Sequence, residues 1–277
     1  MSRRFMQVDV FSPVPLKGNP LAVVLDAEGL DEATMRDFAR WTNLSETTFL
    51  LPPTTPEADY RVRIFSPGGE MPFAGHPTLG SCHAWLAAGG VPREPGLVVQ
   101  QCGLGLVKVR RSGPRLAFAA PRPQVREVEA DMLARVLLAL GLQHTQVRAA
   151  AWLESGWPQL TLELDSAASV LALRPDHHAL KSLCKVGVAG RHAPGQDSDF
   201  ELRFFAASIG VDEDPVTGSF NGNLAHWLIG SGRAPQRYVA AQGTCLGRLG
   251  RVHVEHDGTD CWIGGDVMPC VTGQLAL

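Results

Sequence analysis

The chain carries one pattern twice, and this duplication limits the folds open to it more than any other feature. Residues 63–90 read as a strand, a polar turn rich in proline and glycine, and a helix that ends at glycine. Residues 203–232 repeat that order. The copies are half the chain apart, which is too far for the short period of a solenoid. The sequence therefore predicts two related halves, each built on a strand–turn–helix segment.

Many short strands with one long helix in each half are expected around these segments. A sheet of parallel βαβ units needs regular alternation of strands and helices, which this chain lacks. The helices predicted at 78–88 and 220–229 carry small and apolar residues on nearly every side, which is typical of buried helices. The pattern favours the α+β class, with two strand-rich barrels or rolls that each wrap a central helix. Pro121-Arg122-Pro123 marks the boundary, so the predicted domains are 1–120 and 121–264.

Composition narrows the classes of partner. The net charge is −3 and no broad basic stripe occurs, so no nucleic-acid partner is expected. No apolar run approaches the roughly 18 residues that span a bilayer, and no signal peptide is recognisable at the start. The six cysteines form no Cys-x-x-Cys pair, and no histidines stand at zinc-ligand spacing. We expect a cytoplasmic protein with reduced thiols, no membrane partner and no metal.

The two duplicated turns are candidate anion-binding elements. The first turn leads through Gly75 and His76 into its helix, and the second leads through Gly218 and Ser219. The first N–H groups of a helix lack intrahelical partners and attract negative charge. Two such termini that face each other would bind a ligand with a carboxylate.

Glu46 is the candidate proton carrier. It is the only carboxylate between Asp37 and Glu57, and it stands at the mouth of an apolar strand. One interpretation is a capping or edge residue. The other is a partly desolvated carboxylate, whose pKa would rise until it could act as general base and acid near neutral pH.

Three further side chains at the turns have two interpretations each. His76 is either a helix-cap residue or a neutral imidazole that binds a substrate or orients a proton-transfer partner. Asp214 is either structural or a substrate contact, and Ser219 is either an N-cap or a ligand-binding hydroxyl. Their matching places in the two copies favour the functional interpretations.

Four motifs in order resemble one known family. They are Val8-Asp9-Val10-Phe11 with Gly18-Asn19-Pro20, Asn43-Leu44-Ser45-Glu46-Thr47, residues 72–80 (PFAGHPTLG) and residues 213–219 (EDPVTGS). Gln242-Gly243, Gly247-Arg248 and Gly264-Gly265 extend the match. On these residues the chain resembles the phenazine-biosynthesis PhzF-like isomerase family over essentially its whole length.

The resemblance implies a fold and a site. The fold is that of diaminopimelate epimerase, with two pseudo-symmetric domains, each a β-barrel around a central helix, and the site in the cleft between them. It also implies that the last strand, within 265–277, returns to the first domain, and that the protein is a homodimer. In the family's isomerase member, a glutamate at the position of Glu46 moves a proton during isomerisation of dihydro-3-hydroxyanthranilate. His, Asp and Ser at the positions of His76, Asp214 and Ser219 complete that site.

The epimerase relatives differ in their chemistry, since they use one cysteine from each half as opposed acid and base. Neither turn of this chain carries a thiol, and Cys82 lies well inside the first helix. The sequence therefore argues against a two-thiol racemase. We expect an isomerase without metal or cofactor that acts on a small carboxylated metabolite. Glu46, His76 and Asp214 would be catalytic, and Gly75, His76, Gly218 and Ser219 would bind substrate.

Two alternatives remain open at this stage. The same scaffold could bind a metabolite without turnover, in which case binding would not depend on the charge of Glu46. It could also be a lyase or hydratase that uses the same base, and its product would then differ in mass from its substrate.

Overall fold

The computed structural model describes residues 2–277, with all of their side chains but that of Ser112. The chain forms two compact units. The first contains the residues up to 119 together with 264–277, and the second contains 120–263. The ranges predicted from the sequence are 1–120 with 265–277, and 121–264.

The first unit begins with eight strands and two helices. In chain order they are β1 Ser2–Val10, β2 Asn19–Val24, α1 Glu32–Thr42, β3 Thr47–Leu51, β4 Tyr60–Ser66, β5 Gly69–Met71, α2 Gly75–Ala87, β6 Leu97–Cys102, β7 Gly105–Ser112 and β8 Arg115–Ala119.

The second unit follows with eight strands, four helices and three short 3-10 turns. In chain order they are β9 Gln124–Arg126, α3 Ala130–Leu140, His144–Gln146 (3-10), β10 Val147–Glu154, β11 Pro158–Leu164, α4 Ala167–Ala172, α5 His177–Lys181, β12 Val186–Arg191, β13 Phe200–Phe205, Ala207–Ile209 (3-10), α6 Gly218–Gly230, β14 Arg237–Gln242, Thr244–Leu246 (3-10), β15 Gly250–His256 and β16 Cys261–Gly265. A last strand, β17 Val267–Ala276, belongs to the first unit and pairs antiparallel with β1.

Strand pairing repeats between the units in the same order. In the first unit β1 and β2 are antiparallel, β2 and β3 parallel, β3 and β4 antiparallel, and β4 and β6 parallel. In the second unit β10 to β14 follow the same alternation. Each parallel step needs a crossover, and helices fill it: α1 and α2 in the first unit, and α4, α5 and α6 in the second. The duplication predicted from the sequence is therefore visible in the topology.

The helix inside each unit is buried, as its sequence predicts. In α2 nine of thirteen residues are buried, and the helix packs against β1, β2, β3, β6, β7, β8 and β17 of its own unit. In α6, also thirteen residues long, eight are buried. Gly80 shows how closely the sheet approaches α2, because a Cβ there would lie 2.5 Å from the Leu21 side chain. The α+β class with strands wrapped on a central helix is confirmed.

Helix α1 has defined ends and one buried face. Asp31 caps the helix by accepting a hydrogen bond from the Thr34 backbone, and Asn43 ends it in the left-handed region at φ 54°. Met35, Phe38 and Ala39 are buried, but Trp41 is 79% exposed. Trp41 is apolar but lies outside the buried face of α1, and its ring stacks on Phe38 with centroids 6.0 Å apart.

No helix within residues 2–277 combines the length and the hydropathy needed to cross a membrane.

Candidate active site

Glu46 is placed at the entrance of β3 by the residues on both sides of it. The left-handed Asn43 turns the chain out of α1, and β3 begins at Thr47. The Thr47 hydroxyl is buried and hydrogen-bonded to that of Thr42 at 3.0 Å, which ties the strand to the end of the helix. The Glu46 side chain between them is 15% exposed. Its carboxylate is thus largely withdrawn from water.

His76 lies against Glu46. It is the second residue of α2, its side chain is 5% exposed, and its Nε2 is 3.5 Å from Glu46 Oε2. The N-cap of α2 is Ala74, which makes no side-chain cap, so the helix-cap interpretation of His76 is wrong. The structure brings a carboxylate and an imidazole together, and this pair can accept, hold and return a proton.

Asn19, which was not predicted as a site residue, contacts the second ring nitrogen of His76. It is fully buried at the start of β2, and its Nδ2 is 3.4 Å from His76 Nδ1. When the Asn19 amide N–H donates to Nδ1, a neutral imidazole carries its proton on Nε2, which faces Glu46. The available signal was the Gly18-Asn19-Pro20 motif, which entered the sequence analysis only as a family marker.

The backbone before Asn19 is fixed by Asp9 and Gly18. The Gly18 N–H donates to Asp9 Oδ2 at 2.7 Å, and Asp9 is 2% exposed. A Cβ on Gly18 would lie 2.2 Å from the Val10 carbonyl oxygen, so only glycine fits there without a shift of the backbone. The motif therefore has a structural role, because its backbone geometry places Asn19 beside the imidazole of His76.

Asp214 lies at the turn of the second unit, but its carboxylate is engaged locally. Its Oδ2 accepts a hydrogen bond of 2.5 Å from the Thr217 hydroxyl. Gln242 is fully buried and holds the same turn, since it donates to the Asp214 carbonyl at 3.1 Å and accepts from the Thr217 N–H at 3.1 Å. Gln242 also accepts from Asn221 Nδ2 at 3.0 Å. The Gln242-Gly243 motif alone does not indicate this role, because the partners of Gln242 lie 21 to 28 positions away in the chain.

Ser219 is the second residue of α6, as His76 is of α2. The N-cap of α6 is Thr217, so the N-cap interpretation of Ser219 is wrong. Its hydroxyl oxygen accepts a hydrogen bond from Gln159 Nε2 at 3.3 Å. Gly218, like Gly75, is the first residue of its helix and is buried.

The predicted site residues thus form two local sets. Glu46 and His76 are in direct contact within the first unit. Asp214 and Ser219 share one turn of the second unit, and each has its own side-chain partner.

The cysteines have no place in either set. Cys82 is buried in the middle of α2, where desolvation raises the pKa of its thiol to about 12. Burial thus keeps the Cys82 thiol protonated near neutral pH.

Comparison with known proteins identifies the family. The profile described as phenazine biosynthesis-like protein matches residues 8–265. Antisense-enhancing sequence 1 of Schizosaccharomyces pombe is 36% identical over 98% of this chain and 97% of that protein. Trans-2,3-dihydro-3-hydroxyanthranilate isomerase of Pseudomonas aeruginosa is 34% identical over 92% of this chain and 91% of that enzyme.

A solved structure shows the same fold. The crystal structure of a PhzF-family phenazine biosynthesis protein from Enterococcus faecalis covers 100% of both chains with a TM-score of 0.83 and 26% identity. The resemblance drawn from the sequence motifs is confirmed. The chain belongs to the phenazine biosynthesis-like family and is an isomerase of that family.

Proposed function

We propose that the protein isomerises a small carboxylated metabolite by moving one proton between two carbon atoms, with Glu46 as the proton carrier. The observation that carries the proposal is the Glu46–His76 pair, whose nearest atoms are 3.5 Å apart and whose side chains are 15% and 5% exposed. A carboxylate mostly removed from water beside an oriented imidazole is suited to general acid–base catalysis.

The reaction balances with one base. Glu46 takes a proton from an allylic carbon or a carbon next to a carbonyl, and the C–H electron pair delocalises into a dienolate or an enolate. The protonated carboxyl then returns the same proton to another carbon, so no atom is gained or lost. His76, held by Asn19 with its proton on Nε2, donates a hydrogen bond to the Glu46 carboxylate or to the developing enolate oxygen.

The second unit is proposed to hold the substrate. Ser219 and the first N–H groups of α6 would donate hydrogen bonds to its carboxylate, since a helix N-terminus favours an anion. Asp214 would contact a polar group of the substrate. A shared cleft between the two halves is part of this proposal, as are the homodimer and the cytoplasmic location; all three stay predictions.

The first compound to test is trans-2,3-dihydro-3-hydroxyanthranilate, the substrate in the name of the Pseudomonas aeruginosa relative. Turnover in D2O, followed by NMR and mass spectrometry, should show an isomer of unchanged mass apart from deuterium. The Glu46→Gln variant should lose at least about 10²-fold in kcat, the usual contribution of a general acid–base group. Glu57→Gln makes the same chemical change at an exposed carboxylate of the same unit and should leave kcat unchanged.

Three outcomes contradict the proposal. Full activity of Glu46→Gln excludes this carboxylate as the proton carrier. A product with altered mass indicates a lyase or hydratase. Tight binding without deuterium exchange or turnover, equal in Glu46→Gln and the natural protein, indicates a binding protein.

A further inference from the structure

A chain of four polar side chains within the second unit ends on Ser219. The Ser155 hydroxyl donates to Asn223 Oδ1 at 2.7 Å, Asn223 Nδ2 donates to Gln159 Oε1 at 3.2 Å, and Gln159 Nε2 donates to Ser219 Oγ at 3.3 Å. Asn223 is 1% exposed and Gln159 is 4% exposed. The chain links the turn between β10 and β11 to the first turn of α6.

The direction of donation decides what Ser219 can do. With the polarity observed, Ser219 accepts from Gln159, and its own O–H proton remains available for another acceptor. If both amides turned over, Ser219 would donate to Gln159 instead, and that proton would be used inside the protein. A hydroxyl has only one proton, so only the observed polarity leaves it for a ligand.

We propose that Gln159 and Asn223 are positioning residues that hold Ser219 as a hydrogen-bond donor to the substrate carboxylate. This inference rests on the proposed function, because it assigns the ligand group that Ser219 meets. An anion needs donors, and Ser219 lies where the helix N-terminus supplies further N–H groups. The relay prevents the hydroxyl from turning its lone pairs toward that anion.

The main variant is Gln159→Glu. An ionised carboxylate still accepts from Asn223, but it cannot donate to Ser219 and instead draws the Ser219 proton to itself. In the Glu46→Gln background, where turnover is removed, binding of trans-2,3-dihydro-3-hydroxyanthranilate by calorimetry should weaken by about tenfold or more, the range for a hydrogen bond to a charged group. As pH falls and the new carboxyl is protonated, it can donate again, so affinity relative to the parent should recover.

Coupling to Ser219 separates the relay from plain charge repulsion. In the Ser219→Ala background, Gln159→Glu should cost several-fold less affinity than in the parent, because its effect passes through the hydroxyl. Repulsion between carboxylates would cost the same in both backgrounds, and that result overturns the proposal. Ser155→Ala is the matched control, since it removes one bond without reversing the others and should change affinity by less than about threefold.

A measurement without ligand keeps the test independent of the substrate. In the natural protein, the side-chain N–H resonances of Gln159 should shift on Ser219→Ala, which removes their acceptor. Unchanged resonances exclude the relay, even if Gln159→Glu fails to fold. If the Gln159 resonances do shift but the probe binds to none of the variants, the relay stands and the assignment of the substrate is contradicted. Failure of the relay and failure of the proposed function are thereby distinguished.

Discussion

Replacement of Gln242 by leucine should loosen the second duplicated turn, because Gln242 bonds to both of its ends. Leucine matches the glutamine in size but removes both of its donors and its acceptor. In the variant, Asn221 Nδ2 can still donate to the Thr217 carbonyl, now at 3.0 Å, and the Thr217 hydroxyl can still donate to Asp214 Oδ2, now at 2.5 Å. Two backbone groups, the Thr217 N–H and the Asp214 carbonyl, lose the partner that Gln242 provides.

The magnitude follows from where these groups lie. Thr217 is 8% exposed, so its N–H should cost about 2 kcal/mol when left without a partner. The half-buried Asp214 carbonyl can be reached by water and should cost about 1 kcal/mol. We therefore expect the free energy of unfolding to fall by about 3 kcal/mol, and the melting temperature by about 10 °C, for a unit of this size.

Urea unfolding followed by circular dichroism measures the total loss, and hydrogen exchange at the Thr217 amide assigns it to the turn. Gln236→Leu makes the same change at an exposed glutamine of the same unit and should shift the free energy by less than about 0.5 kcal/mol. A loss below about 1 kcal/mol in Gln242→Leu, or an unchanged exchange rate at Thr217, would refute the assignment of Gln242 as the residue that holds the turn.

Three further outcomes are expected. Asn19→Leu removes the donor to His76 Nδ1 and should lower kcat by about fivefold, with a changed imidazole tautomer in 15N NMR. Burial lowers the pKa of His226 below its ordinary value of 6.5. The unfolded chain therefore binds the proton more readily, so the free energy of unfolding is unaffected by this group above about pH 6.5 and falls as the pH decreases below it. His226→Gln should therefore reduce the loss of stability measured by urea unfolding between about pH 7 and pH 5. Burial raises the thiol pKa of both Cys82 and Cys261 to about 12, so iodoacetamide at about pH 8 should alkylate them only after unfolding, as peptide mass spectrometry can show.

Residues that begin or end a helix lie beside it in the sequence, so helix ends are predictable from local residues. Asp31 before α1 and Gly141 after α3, at φ 68°, act on their own helix ends. The exposure of Trp41 is not a local matter, since helical periodicity identifies apolar positions but does not show where the covering sheet ends. The partners of the site residues were beyond local reading as well. Asn19 meets an imidazole 57 positions away, and Gln159 meets a hydroxyl 60 positions away.

The duplicated turns show why backbone and chemistry were predictable to different degrees. Both α2 and α6 begin at a buried glycine, follow an N-cap without a side-chain cap, and carry in second position the residue proposed for the site. That geometry follows from the repeated motif. The surroundings of the second residue differ between the two helices, because each sheet supplies different neighbours. Asn19 and Glu46 lie beside His76, and Gln159 lies beside Ser219. An imidazole that faces a carboxylate can assist proton transfer, and a hydroxyl that accepts from an amide N–H keeps its own proton for a ligand. We therefore propose that one scaffold supports two tasks, and that the long-range polar partners, which do not repeat, assign them.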